Sequence, residues 1–283
     1  MPEKAEIAIM SDNLGSRLTG KLCKQIIIMS KYKNGYEKEL YSSSKLNYIQ
    51  GEGYKYLEVD AILSRMSHRG KKIIFEFDKD KYEAFRFVSS CGLTGKWSWE
   101  QSKYTALMLI FDGIVAYYDE VRIGGNFSVC LYPSIEYDHI FKDVGPDLMK
   151  DEVTFEIYNQ IIRGKRIEHL KIAEFMMEQK YLSGAGNYIR SEVLYKCRIS
   201  PHRTLISLSD QDVYNLFYYS KMTIWEAYRS NGLTIKDYLD MNGNKGVYRC
   251  LCYGRDFDDH GNQIVTEKDR NDRTIHWVPG YQV

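Results

Sequence analysis

No hydrophobic run in this sequence approaches the roughly 20 residues that a membrane-spanning helix needs. The chain does not open like a secretory signal either, because Glu3 and Glu6 come early and no apolar core follows them. The cysteines are without pattern. They stand at 23, 91, 130, 197, 250 and 252, with no disulfide-framework spacing, so a reducing intracellular compartment (nucleus or cytoplasm) is expected. Cys250 and Cys252 have no second pair, and His260 and His276 fit no standard spacing. A zinc ribbon needs four ligands in C-x₂-C pairs, so the tail reads as metal-free and no cofactor is expected. A strong charge of one sign is also missing: 39 Lys and Arg against 38 Asp and Glu leave a net charge of +1. Bulk charge therefore does not advertise a nucleic-acid binder, although a basic groove beneath an acidic surface remains open. Internal repeats and low-complexity tracts are lacking as well.

What is present is a globular composition of 283 residues, 44% hydrophobic and 14% aromatic, enough for one large domain or two medium ones. Ile7, Met10, Leu14 and Leu18 recur at helical spacing, and Gly20 follows them, which predicts a helix over 3–18. Short strand signals then dominate to about 133, at 25–29, 56–59, 71–77, 85–88, 106–111 and 114–118, with a tight-turn signal at Asp112-Gly113. Many short strands joined by hairpins predict an antiparallel sandwich or barrel. The pattern changes at Gly145-Pro146-Asp147. Helices are expected near 152–163, 168–179, 188–196 and 209–229, and short strands again at 246–249, 263–265 and 274–277. The expected division is a β domain over 1–133, a linker over 134–151, a helical domain over 152–245 and a terminal finger over 246–283.

Met1-Pro2-Glu3 is either just a common start or the place where the chemistry concentrates. With Met1 removed, Pro2 is a free secondary amine. An N-terminal amine titrates near pH ~8, whereas lysine needs burial or a neighbouring charge to come down from ~10.4. An unprotonated amine attacks an electrophilic carbon and forms an iminium ion, and Glu3 is placed to move protons there. Glu6, one turn further along, either faces the same cleft or is a solvated helix charge. Gly184-Ala185-Gly186-Asn187-Tyr188 opens a helix, and either its bare amides with the Asn187 side chain suit a phosphate or it is a plain inter-helix turn. Lys71, before a strand, is a phosphate or proton contact or else a solvated strand end. Leu93, in Gly92-Leu93-Thr94-Gly95, is a wedge for a base stack or a core plug. Arg273 precedes a strand, where it can reach into a groove.

In this order the landmarks resemble the formamidopyrimidine-DNA glycosylase/endonuclease VIII family of base-excision repair enzymes. Pro2-Glu3 is similar to its catalytic start and Arg69-Gly70-Lys71 to its lysine loop. Gly92–Gly95 is similar to its void-filling loop and Gly145–Asp147 to its interdomain signature. Residues 170–202 resemble its helix–two-turn–helix element. The tail around Arg273 resembles the zincless finger of the endonuclease VIII-like branch. The resemblance implies an α+β fold with an N-terminal antiparallel β-sandwich flanked by helices and a helical domain bearing a zincless β-hairpin finger. It also implies a monomer acting on damaged DNA, duplex or single-stranded.

Function follows from the same resemblance. Pro2, Glu3 and Lys71 would be catalytic in a bifunctional glycosylase/lyase that removes oxidised bases, pyrimidines in this branch, and cuts the strand by β,δ-elimination. Asn187 and Arg273 would clamp phosphates, Leu93 and Arg122 would fill the void left by a flipped nucleotide, and Glu6 would touch the lesion. Lys4-Ala5 departs from the family's usual Gly-Pro after the first Glu, and no Phe follows Arg122. The alternative is a damaged-DNA-binding protein of the same fold without the chemistry. A metal-dependent nuclease is a distant third, because no acidic cluster has ligand spacing.

Overall fold

The computed structural model describes residues 2–29, 49–51, 54–78, 84–121, 125–234 and 240–283, with only the backbone described at 49–51 and 54–58. Arg122 lies outside the described residues. The chain divides into two compact units: Met1–Pro2, Glu6–Lys142 and Ile235–Gly246 form the first, and Glu3–Ala5, Asp143–Thr234 and Val247–Val283 form the second. The chain crosses from one to the other at Pro2/Glu3, again within its first helix at Ala5/Glu6, at Lys142/Asp143, and twice more near 235 and 246.

In the first unit, helix α1 (Lys4–Leu18) buries Ile7, Met10, Leu14 and Leu18, the set spaced for one face, and Gly20 follows at φ +83. The strands are β1 (Leu22–Met29), β2 (Ile49–Gly51), β3 (Tyr54–Arg69), β4 (Lys72–Asp78), β5 (Ala84–Ser90), β6 (Lys96–Ser98), β7 (Thr105–Phe111), β8 (Ile114–Asp119) and β9 (Asn126–Tyr132). Among the described residues they form one antiparallel sheet in the order β6-β8-β7-β1-β3-β4-β5-β9, with β2 on β3. Six steps of that order separate β8 from β9, about 29 Å in a flat sheet. Yet the rings of Tyr118 and Phe127 lie 4.7 Å apart, and Trp97 of β6 lies 5.1 Å from Phe75 of β4. The sheet is therefore folded back on itself, and its inner aromatic residues meet as the core of the expected sandwich. A short capped helix, α2 (Ile135–Ile140), follows β9, with Ser134 accepting from the Tyr137 amide.

In the second unit, α3 (Phe155–Ile162) is capped by Thr154, and α6 (Asp210–Arg229) opens on a capping box between Ser209 and Asp212. Between them lie α4 (Ile172–Phe175) and α5 (Asn187–Cys197), and the tail forms a hairpin of β10 (Val265–Lys268) and β11 (Thr274–Trp277). The helix predicted over 168–179 shrinks to α4. The amides of Ile172 and Ala173 bond to the carbonyls of Arg203 and Pro201 instead of the preceding turn, and Met177 and Glu178 close tight three-residue turns. The strand predicted over 246–249 reduces to a bridge between Tyr248 and Leu233, and β10 begins at Val265, where the next predicted strand ends. No helix among the described residues is long and apolar enough to cross a membrane.

Candidate active site

Gly186 is the N-cap of α5 and has no side chain with which to cap it, so the first-turn amides are open to another partner. That partner is Glu3. Its carboxylate accepts from the Tyr188 amide at 3.0 Å through Oε1 and from the Ile189 amide at 3.3 Å through Oε2. The positive end of the helix favours this negative charge. The glycine is required by contact, since a Cβ on Gly186 would stand 2.3 Å from Glu3 Cδ. Gly184, at φ +117, makes a similar allowance for Lys4, whose Cβ would be 3.1 Å from an added Cβ. The Gln179 side chain holds this loop, accepting from Gly184 N–H at 3.0 Å and donating to the Ala185 carbonyl at 2.9 Å. The amides read from sequence as a phosphate cradle do bind an anion, but that anion is the protein's own carboxylate.

Lys4 is wholly buried, and its Nζ is ion-paired with the buried Asp147 carboxylate. The other oxygen of Asp147 accepts from the Met149 amide at 3.0 Å, and the Lys4 amide donates to Gly184 O at 3.2 Å. Asp147 and Ser183 form a parallel bridge, and Ser183 Oγ donates to Gly145 O at 2.9 Å. The Gly145-Pro146-Asp147 and Ser183-Gly184-Ala185-Gly186 stretches, distant in sequence, are thus laid side by side.

Arg190, one turn into α5, is also fully buried. It donates to Asp269 Oδ2 at 2.7 Å, to Thr274 O at 2.9 Å, and to Asn187 Oδ1 and Ala173 O at 3.3 Å. Asp269 closes the turn between β10 and β11, because its Oδ1 accepts from the amides of Asn271 at 2.9 Å and Arg273 at 3.0 Å. Burial pulls the Arg190 guanidinium below its ordinary value, against the pull of Asp269. For Asp269 burial acts upward, but the Arg190 bond and the two amides outweigh it and hold the carboxyl below the usual range. One guanidinium therefore ties half-buried Asn187 to the turn that carries exposed Arg273.

Residues 144–238 match the family described as the formamidopyrimidine-DNA glycosylase H2TH domain, which encloses α3 to α6. Along its whole length the chain is 23% identical to the formamidopyrimidine-DNA glycosylase of Heliobacterium modesticaldum, covering 100% of both. It is 24% identical to that of Thermus thermophilus, covering 90% of this chain and 88% of the other. Among solved structures, the MutM (Fpg) protein of Thermus thermophilus superposes with a TM-score of 0.83 at 18% identity, covering 99% of this chain and 98% of the other. Lactococcus lactis Fpg, solved with DNA containing an abasic site, superposes with a TM-score of 0.80 at 19% identity over 99% of each. The chain is thus similar to formamidopyrimidine-DNA glycosylases in sequence along its length and in fold, and residues 144–238 carry their H2TH domain.

The remaining residues of the family pattern fall in the first unit. Pro2 is half-buried ahead of α1, and Glu6 is buried at 2% exposure, so it is not a solvated helix charge. Lys71 is at the tip of a two-residue turn, because Arg69 of β3 pairs directly with Lys72 of β4, and Gly70 takes φ +56. Lys72 in turn pairs with Ser90, the last residue of β5, so the Lys71 turn and the Gly92–Gly95 loop leave the sheet at one end. Leu93 is 57% exposed and plugs no core. Its loop is pinned from beneath, since a Cβ on Gly95 would fall 1.8 Å from Tyr118 Oη.

The buried charges that escaped the sequence reading include Lys4 as a structural cation, Arg190 and Glu192. Glu192 is fully buried in α5 and accepts from the consecutive amides of Leu251, Cys252 and Tyr253 at 2.7, 2.9 and 2.8 Å. In α5, Tyr188 to Tyr195 are all buried, a fact of the fold that the mixed sequence NYIRSEVLYKC does not announce. Charges on such a helix require internal partners.

Proposed function

We propose that this protein is a DNA glycosylase of base-excision repair that also cleaves abasic sites, with Pro2 as nucleophile, Glu3 as proton carrier and Lys71 as phosphate contact. The observation that carries this reading is the seating of Glu3 on the first turn of α5, over Gly186. Glu3, the residue after Pro2, is thereby held on a helix within the H2TH match. Pro2 nitrogen attacks C1′ of a flipped nucleotide, and the C1′–N bond breaks as its electron pair leaves with the base, which takes a proton. The sugar ring opens at C1′–O4′, O4′ takes a proton relayed through Glu3, and an iminium ion joins Pro2 to C1′. Loss of a C2′ proton then expels the 3′ phosphate, and a second elimination expels the 5′ phosphate. Lys71, Asn187 and Arg273 hold the backbone, and exposed Leu93 enters the gap with Arg122.

We assign the finger to the zincless branch, and with it a preference for oxidised pyrimidines. The support is that Glu192 binds the 251–253 backbone with a carboxylate, organising the segment from α5. Borohydride trapping on abasic and thymine-glycol DNA tests the reading. A covalent adduct is expected with the mature protein and none with Pro2→Gly. No adduct on either substrate leaves only damaged-DNA binding.

A further inference from the structure

We propose that Lys4 is a positioning residue for the Pro2 amine, acting through its buried ion pair with Asp147; the inference rests on Pro2 being the nucleophile. Chain termini fray unless they are tied down, and a nucleophile displaced by about 1 Å loses on the order of a hundredfold in rate. Pro2 is one residue from the ties described above. Glu3 is held by two amides of α5, the Lys4 amide by Gly184 O, and Lys4 Nζ by Asp147. Of these, only the last depends on a residue that departs from the family's opening. Where Gly-Pro is usual, the backbone is stiffened by a proline ring. Here Lys4-Ala5 has no ring, and a side chain crossing to Asp147 supplies the restraint.

The surroundings are shaped for it. Lys4 and Asp147 are 0% and 2% exposed. The Lys4 stem runs over Gly184, with Cβ, Cγ and Cδ at 3.1, 3.3 and 3.6 Å from where a side chain there would begin. Asp147 is itself fixed by the Met149 amide and by the bridge to Ser183. A buried cation kept only for stability is a poor solution, because an apolar side chain of the same length serves as well. An ion pair adds direction, fixing where the stem ends and so where residues 2 and 3 begin.

The test is the single-turnover rate of borohydride trapping on abasic duplex DNA, read beside thermal stability and DNA affinity. Lys4→Met alone leaves Asp147 buried without its cation and is expected to melt early. The informative variant is Lys4→Met with Asp147→Asn, in which an amide oxygen still accepts from Met149 and no charge is stranded. That double variant is expected to fold and to bind DNA within about threefold of wild type while trapping at least roughly tenfold more slowly. A fully folded double variant trapping at the wild-type rate overturns the inference and leaves the Pro2 reading intact. So does a rate that only follows the folded fraction. Failure to trap the wild-type protein removes the Pro2 reading, and the role of Lys4 falls with it.

Discussion

Glu3 occupies a site with no spare volume, which makes single atoms consequential. Gly186→Ala places a methyl where the Glu3 carboxyl now lies, so one of the two must move. Because general acid–base groups contribute about 10² to 10⁴ in rate, base excision is expected to fall by at least about a hundredfold. DNA affinity should change far less, and single-turnover assays with a binding titration separate the two. Leu93 makes the opposite case. It is 57% exposed, so Leu93→Ala should shift stability by no more than about 0.5 kcal/mol in urea unfolding, while base excision slows because the stack loses its wedge. A loss of several kcal/mol would mean that Leu93 is a packing residue after all.

Between elements, buried charges make the joins. The Arg190–Asp269 pair links α5 to the β10–β11 turn with side chains 0% and 3% exposed. Arg190→Met strands a buried carboxylate, which costs about 3–5 kcal/mol and is measurable by urea unfolding at neutral pH. The pair also has a pH signature. The folded pKa of Asp269 is depressed, so its contribution is complete above the unfolded value of about 3.9 and is lost as pH falls through the folded value. Wild-type stability should therefore drop on acidification below about pH 4. Asp269→Asn, weaker at neutral pH, should fall less steeply there. Equal slopes would show that the pair is not coupled to folding.

Elements of this kind were only half legible in the sequence. Helix α1 declared itself through Ile7, Met10, Leu14 and Leu18, since one apolar face packs on one sheet. Most sandwich strands were visible as apolar runs. The three-residue β2 and β6 and the polar-flanked β9 were not, because sheet pairing rather than local pattern defines them. Gly184-Ala185-Gly186 was readable as a helix opening, but its occupant enters from 185 positions upstream of Tyr188, a pairing that only the fold creates. Lys4 read as a departure from the family pattern for the same reason, its partner being 143 positions away.

At the scale of the whole chain, a net charge of +1 gives little long-range attraction for a polyanion, so affinity for DNA must come from a few local contacts. Each phosphate neutralised by a cation contributes about 0.9 to the slope of log affinity against log salt concentration. Lys71 is at a hairpin tip and Arg273 in an exposed turn, so truncating either should leave folding untouched. Lys71→Ala and Arg273→Ala should each flatten the slope by about 0.9, and the double variant by about 1.8. Arg273 is aimed by the Asp269 turn, which Arg190 holds from α5. Arg190→Met, assayed at a temperature where it remains folded, should then flatten the slope as Arg273→Ala does, and adding Arg273→Ala to it should change little more. Fluorescence anisotropy on abasic duplex across a salt series decides this. If Arg273→Ala leaves the slope unchanged, Arg273 is no phosphate clamp, and the buried guanidinium in α5 serves the fold alone.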